Sequence, residues 1–203
     1  MELHDSTSQH LVALGLGIAR LRQLVAGARS EVVLDDMSKA VREVMKEIRI
    51  LSYLMRPPSL ERGGLQATVR DFVEGFGTRT GLEVGFQASG AVDDISPGVR
   101  HAAFRIVQEA LSNVYRHAHA TRTEVALEQA AGILTVRVAD DGQGIAKLRA
   151  GDPEGLQLGV GIDGMRTRVG RLGGDLEIVC PDRGTWVVAR IPIHGEEAAA
   201  PAN

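Results

Sequence analysis

Near the start of the chain, in "MELHDSTSQHL", His4 stands next to Asp5, and Gln9 follows four residues after that acid. A neutral imidazole is a nucleophile near neutral pH, with an unperturbed pKa of about 6.5. A carboxylate beside it can take or orient its proton. If the stretch is helical, Asp5 and Gln9 share a face, because residues four apart meet on one side of a helix. Read alone, the same three residues describe a polar helix start with a surface histidine. The choice depends on whether another part of the chain brings an electrophile.

Further along, Glu109 and Asn113 also stand four apart, with Arg116 and His117 following. An acid, an amide, a cation and an imidazole on one face could be a solvated surface, and a lone Glu-x-x-x-Asn pair reads that way. "VADDGQGIA" then puts Asp140 at the end of a strand pattern, with Gly142 and Gly144 freeing the backbone to turn sharply. Such an Asp can accept from the exocyclic amine of a base, while the glycines let a ring approach the chain. An ordinary Asp-Gly turn is the plain alternative. "GLQLGVGIDGM" supplies Gly159, Gly161 and Gly164 ahead of a helical pattern, and N–H groups exposed at a helix start are a seat for phosphate.

Two kinds of pattern have to position these residues. Residues 3–55 read as two helices, with Leu11, Leu14, Ile18, Leu21, Val25 and Ala28 on one seam and Leu34, Met37, Val41, Val44, Ile48, Leu51 and Met55 on the other. Spacings that alternate between three and four make each a heptad seam. The short link "GARSE" makes the helices antiparallel neighbours and offers Ser30 as an N-cap. A hairpin buries only one side of each seam, and each large aliphatic side chain left exposed forgoes about 1.5–3 kcal/mol. The pattern therefore favours a four-helix bundle made from two copies, a homodimer. A hairpin packed on the chain's own second domain is the alternative. Continuing the first seam back by seven from Leu11 puts His4 at a core position. Either the stripe shifts register there or that end of the bundle is open.

"MRPPSL" ends the second helix, because proline lacks the N–H and restricts its predecessor. Beyond it, Leu65, Val69, Phe72, Val73 and Phe76 mark a helix, and "LEVGFQAS" alternates like a strand. Ser96 caps and Pro97 opens the long helix "SPGVRHAAFRIVQEALSNVYRHAHA". "TEVALEQ" and "ILTVRVAD" form a hairpin across "AAG", "DGMRTRVGRLGG" is a helix ended by glycine, and "DLEIVC" and "TWVVARIPI" form a second hairpin. The expected fold class is α+β: a helical hairpin forming a dimeric four-helix bundle, then an α/β sandwich with a mixed, mostly antiparallel sheet. The expected boundaries are 1–56 for the hairpin, 57–64 for a hinge, 65–193 for the second domain and 194–203 for a disordered tail.

Taken in order, Glu-x-x-x-Asn on a helix, Asp-x-Gly-x-Gly after a strand and Gly-x-Gly at a helix resemble the nucleotide-binding domain shared by histidine kinases, type II topoisomerases, heat-shock protein 90 and mismatch-repair ATPases. "GTWVVARIPI" looks like that domain's last strand, with Gly184 and Thr185 at its start. The likeness spans about residues 60–193. "ELHD", Gln9, the heptad hairpin and "RPPSL" are similar to the sensor histidine kinases of bacterial two-component systems. The subgroup that contains the nitrate sensors and the membrane-fluidity thermosensor is the nearest, and "RIVQEALSNVYRHAHAT" and "GVGIDGMRTRVGRLGG" carry the likeness too. The chain departs from that pattern in three places. Only Met1, Glu2 and Leu3 precede the histidine, residues 145–158 make a short lid without a phenylalanine-rich box, and Thr167 stands where an acid is common between two arginines.

The resemblance implies ATP as phosphoryl donor, Mg²⁺ as its metal, and His4 as phosphoacceptor. Asp5 would assist by taking or orienting the imidazole proton. Gln9 would position water for dephosphorylation of a partner, a phosphatase activity. Asn113 would hold Mg²⁺, with Glu109 near enough to orient metal-bound water or polarise the reacting group; this metal keeps several waters and few protein ligands. Arg116 and His117 would face the phosphates and Asp140 would read adenine. Gly142, Gly144, Gly159 and Gly161 would line the cleft, with Asp141, Ile145, Val160 and Thr185 as further contacts. The ATP domain must swing onto the bundle, and "MRPPSL" is the nominated hinge. Implied partners are a second copy through residues 1–56 and a cognate response regulator, with a sensory domain expected in the longer kinase.

Bulk properties bound these expectations. With 203 residues and 44% hydrophobic content the chain can pack a core, and its formal net charge of −3 gives no reason to expect nucleic acid. Cys180 is the single cysteine, so neither an intrachain disulfide nor a thiolate metal cluster can form. No apolar run approaches the roughly 20 residues of a membrane span, and the charged start is unlike a secretory signal. The expected location is cytoplasmic. A serine kinase of the anti-sigma type would share the ATP fold but lacks a histidine-bearing hairpin. A non-catalytic dimeric scaffold is the rival of another class, and the Glu109–Asn113 pair argues against it.

Overall fold

The computed structural model describes residues 2–25, 28–55, 60–145 and 160–194, with the side chains of 2–9, 28–29, 60–62 and 160 outside that description. The chain divides into two compact units, Met1–Arg56 and Pro57–Asn203. In the first, α1 (Glu2–Leu24) packs on α2 (Ala28–Leu54) as a hairpin. Ile18 and Leu34 are buried, and Arg22 on α1 pairs with Asp35 on α2. Much of each seam stays open: Leu14 is 55% exposed, Leu21 47% and Met37 45%. Ser30 is not the cap expected from the link. The helix begins two residues earlier, at Ala28, because alanine and arginine are good helix formers.

The second unit opens with α3 (Leu60–Thr80), whose helical path is broken at Gly64 (φ 71°, ψ 178°). Beyond the break, the Asp93 carboxylate accepts from the Gln66 N–H at 3.0 Å, and the Thr68 hydroxyl donates to the Gly64 carbonyl at 2.6 Å. The residues expected to face inward, Leu65, Val69, Phe72, Val73 and Phe76, are all buried. Strand β1 (Glu83–Ser89) follows, then α4 (Pro97–Asn113). Ser96 caps α4 by accepting from the Val99 N–H at 3.4 Å, and Pro97 occupies the first turn. Phe72 of α3 meets Phe104 of α4 edge to face, centroids 5.1 Å apart, a contact worth about 0.5–1.5 kcal/mol beyond area burial.

The long helix does not run on as α-helix to Ala120. After Asn113 it becomes a single π-helical turn, Val114–Ala118, and His119 closes it in the left-handed region (φ 50°). Strands β2 (Arg122–Ala130) and β3 (Ile133–Asp140) then form a hairpin. Its turn is two residues long, Ala131 and Gly132, both at positive φ, which matches the right-handed twist of paired strands. Helix α5 (Val160–Arg171), β4 (Asp175–Val179) and β5 (Trp186–Pro192) complete the unit.

The sheet order is β1-β2-β3-β5-β4, with β1 and β2 parallel and the other pairs antiparallel. Helices α3, α4 and α5 pack on it. Alternate strand residues point inward, with Val125, Leu127, Leu134, Val136, Val138, Ala189 and Ile191 buried. Their strand neighbours carry ion pairs, Arg122 with Glu124 and Arg190 with Glu177. Such a period of two makes one face of a sheet a core and the other a polar surface. The mixed, mostly antiparallel sandwich is the α+β fold expected.

Candidate functional site

The site gathers where the π-helical turn, the end of β3 and the start of β5 meet. Asp140, last in β3, is half-buried, and its Oδ1 accepts from the Gly142 N–H at 2.8 Å. Its own N–H donates to the Thr185 carbonyl at 3.0 Å. Burial pushes the Asp140 carboxyl above its ordinary range; the N–H groups of Gly142 and Thr185 pull it back, and the charge of Asp141 adds to the rise. A desolvated acceptor at a strand end is suited to bind an N–H donor of a ligand, because a hydrogen bond is stronger where water competes less.

Glycines allow the close backbone around it. A Cβ on Gly142 would overlap the Ala118 carbonyl oxygen, and one on Gly184, itself at φ 83°, would overlap the Asp140 carbonyl. The Gly184 N–H donates to the Gly142 carbonyl at 2.9 Å. The loop after β3 is thus held between the end of the π-helical turn and the start of β5. Gly144, at φ 70°, and Ile145 continue that loop, both half-buried.

Asp141 does not offer its carboxylate to the cleft. Its two oxygens accept from the Thr121 N–H at 2.8 Å, the Thr121 hydroxyl at 2.7 Å and the Arg122 N–H at 2.9 Å, which holds its pKa at about 2. The Arg183 side chain donates to its carbonyl at 2.9 Å. In this structure the Asp141 carboxylate thus clamps the start of β2.

Across α4, Glu109 and Asn113 are both half-buried and lie four apart on the helix, as their spacing requires. A Cβ on Gly161 would overlap the Glu109 carboxylate, so that carboxylate lies against the first turn of α5. Gly161 belongs to that helix, which begins at Val160, and does not precede it as expected. Arg116 and His117 are exposed on the π-helical turn, so the α-helical spacing that put His117 in line with Asn113 no longer applies. Among the described residues no group of three His, Cys, Asp or Glu is placed to hold a metal. An amide and one acid would hold Mg²⁺ only together with phosphate oxygens, and the oxygen donors of Asn113 and Glu109 on one face fit that mode.

His4, Asp5 and Gln9 lie on α1, in the other unit, with side chains outside the description. Gly159, all of the 145–158 lid except Ile145, and the prolines of "MRPPSL" lie outside the described residues. Three residues to which the motifs assign no site role help to build the site. Gln143 donates from its backbone to the Ala118 carbonyl at 2.8 Å and from its side chain to the His117 carbonyl at 2.7 Å. Ala118 and Gly184 provide the close backbone. Of these, Gly184 was visible in the sequence as the start of the last strand; the other two depend on distant contacts.

Comparison with known proteins bears on both halves. The family described as histidine kinase matches residues 1–60, and the family described as histidine kinase-, DNA gyrase B- and HSP90-like ATPase matches residues 98–195. The sensor histidine kinase MctS of Rhizobium johnstonii is 32% identical, over 100% of this chain and 43% of its own length. The signal transduction histidine-protein kinase/phosphatase DegS of Brevibacillus brevis is 31% identical, over 97% of this chain and 50% of its own. This chain thus spans about half the length of the curated relatives it matches. The histidine kinase domain of the blue-light activated histidine kinase of Erythrobacter litoralis aligns with a TM-score of 0.52 over 91% of this chain and 94% of that one; at 21% identity it speaks for the fold alone. With both halves matched in chain order and the fold shared, the chain belongs to the bacterial sensor histidine kinases and represents their catalytic core.

Proposed function

We propose that the chain phosphorylates its own His4 with ATP, passes the phosphoryl group to an aspartate of a response regulator, and dephosphorylates that regulator. The observation that carries the reading is the half-buried Asp140 carboxylate, held by glycine-permitted backbone contacts in the same unit as the Glu109–Asn113 pair. Asp140 accepts from the exocyclic amine of adenine. Asn113 and Glu109 would hold Mg²⁺, which would neutralise triphosphate charge, and Arg116 and His117 face the phosphates. The N–H groups at the start of α5, including Gly161, add a positive helix end for the same anion. Positioning and charge stabilisation dominate phosphoryl transfer.

A ring nitrogen of His4 attacks the γ-phosphorus, the bond to the bridging oxygen of ADP breaks, and Asp5 accepts or holds the proton on the other ring nitrogen. Gln9 then holds water in line with an aspartyl phosphate of the regulator, using the donor and acceptor of its amide. The exposed seam of the hairpin, with Leu14, Leu21 and Met37 each more than two-fifths open, supports a homodimer through residues 1–56. Among the described residues no helix is long and apolar enough to cross a membrane, and we place the core in the cytoplasm, where ATP and a regulator are available. The experiment is incubation with Mg·ATP and analysis of the phosphate formed. The reading expects an acid-labile, base-stable phosphate in the parent and none in His4→Ala; strong histidine labelling of that variant rules out His4 as the acceptor.

A further inference from the structure

We infer that Gln143 is a positioning residue that registers the base-reading loop against the turn carrying the phosphate-facing side chains. The inference rests on the nucleotide reading above and extends it to a residue that reading does not use. A helix end leaves its last carbonyls without partners inside the helix. Here two of them, from His117 and Ala118, are both taken by Gln143, one by its side-chain amide at 2.7 Å and one by its backbone N–H at 2.8 Å. Gln143 lies three residues after Asp140, and His117 lies four after Asn113. One residue therefore joins the loop that begins after the base acceptor to the turn that follows the proposed metal ligand.

The neighbours divide the work. Asp141 clamps Thr121 and Arg122 beyond the turn, and Gly142 lets the loop backbone approach the Ala118 carbonyl. These two fix where the loop lies. Gln143 adds two bonds to the π-helical turn, its backbone at the terminal Ala118 and its side chain one residue further in, at the residue proposed to face phosphate. Gln143 is exposed, so removing its amide opens no cavity. The His117 carbonyl it releases belongs to an exposed residue and can bond to water instead. Its backbone bond to Ala118 survives any replacement except proline. The side-chain bond thus contributes little to folding but sets the spacing between the two halves of a ligand that spans both.

A ligand that contacts only the base loop does not sense that spacing, whereas one that reaches from base to phosphate does. Without the bond the free protein samples other spacings, and binding must first select the competent one, which lowers apparent affinity by the populated fraction. The expected loss for the spanning ligand is about threefold to tenfold, the equilibrium worth of one ordinary hydrogen bond.

The test measures adenosine and Mg·ADP affinities for the parent, Gln143→Met and Gln143→Ala, with thermal melting beside them. Methionine matches the length of glutamine without a donor, and alanine guards against a poor fit of the longer chain. The inference expects both variants to melt with the parent, to bind adenosine within about twofold of it, and to bind Mg·ADP more weakly by the threefold to tenfold given above. Equal Mg·ADP affinity in parent and variants overturns it. So does a parallel loss of both ligands, which would make Gln143 a general support of the loop. A parent that binds neither ligand overturns the nucleotide reading, and this inference with it.

Discussion

Replacing Asp140 with asparagine separates ligand recognition from folding. The carboxylate has two acceptor oxygens; Oδ1 takes the Gly142 N–H at 2.8 Å, and the Thr185 N–H also stabilises the charge. Asparagine offers a single acceptor oxygen and two donors. If that oxygen stays on Gly142, an amine faces the amine of the base. If it turns to the base, its own amine faces the Gly142 N–H. Either way one pair in a half-buried site is donor against donor. Losing a hydrogen bond to a charged group costs about 1.5–3 kcal/mol, so ATP should bind about 10- to 150-fold more weakly. Stability should move the other way. Because burial raises the carboxyl pKa above its unfolded value, folding disfavours the charged form. That cost is present above the folded pKa and vanishes as the pH falls below the unfolded one. Asp140→Asn removes it at neutral pH, so its melting temperature should equal or exceed that of the parent. Titration calorimetry with Mg·ATP, with melting curves alongside, checks both halves; unchanged ATP affinity in a folded variant refutes the base-acceptor role.

Gly161→Ala should push aside the Glu109 carboxylate, the far end of a flexible side chain, while alanine improves the helix by about 0.5–1 kcal/mol; the expected variant melts no lower than the parent but labels His4 more slowly, and equal labelling would separate Glu109 from the transfer step. Asp141, its carboxyl pKa lowered to about 2 by its hydrogen bonds, contributes stability that is present above the unfolded value and lost as the pH falls through the folded one. Asp141→Ala should therefore flatten the acid limb of the stability curve below about pH 4, and an unchanged limb counts against the clamp. Gln9→Ala should keep His4 labelling and slow regulator dephosphorylation about tenfold to a hundredfold; unchanged dephosphorylation by a dimeric variant reduces Gln9 to a solvated helix residue.

Local chemistry made much of the fold legible. The inward stripe of α3, the Ser96 cap followed by Pro97, and the strand that ends at Asp140 each follow from a period or a turn residue within a short window. The errors arose where longer-range contacts or modest propensities decide the outcome. Ser30 is a good cap, yet alanine and arginine before it carry the helix further back. The π-helical turn leaves carbonyls that bond to Gln143, about 25 residues away in sequence, and no periodicity in "SNVYRHAHA" announces it. Nor does "DDGQG" announce that the Asp141 carboxylate bonds to Thr121 and Arg122, some 20 residues upstream.

The break in α3 at Gly64 bears on how force could pass between linker and catalytic unit. An unbroken helix is a stiff rod that passes on twist as well as pull. At Gly64 the backbone takes a conformation reserved almost wholly for glycine, and a Cβ there would overlap the Asp93 carboxylate. The residues before Gly64 therefore do not continue the helical path that starts at Leu65. Tension still passes, because the chain beyond it is anchored by Asp93 at Gln66 and by the buried Leu65. From Leu65 the rigid path leads along α3 to the Phe72–Phe104 contact and so to the helix bearing Glu109 and Asn113. Gly64 thus splits the entry to the catalytic unit into a short lead-in and a separately anchored rod, so the unit's stiffness begins at Leu65.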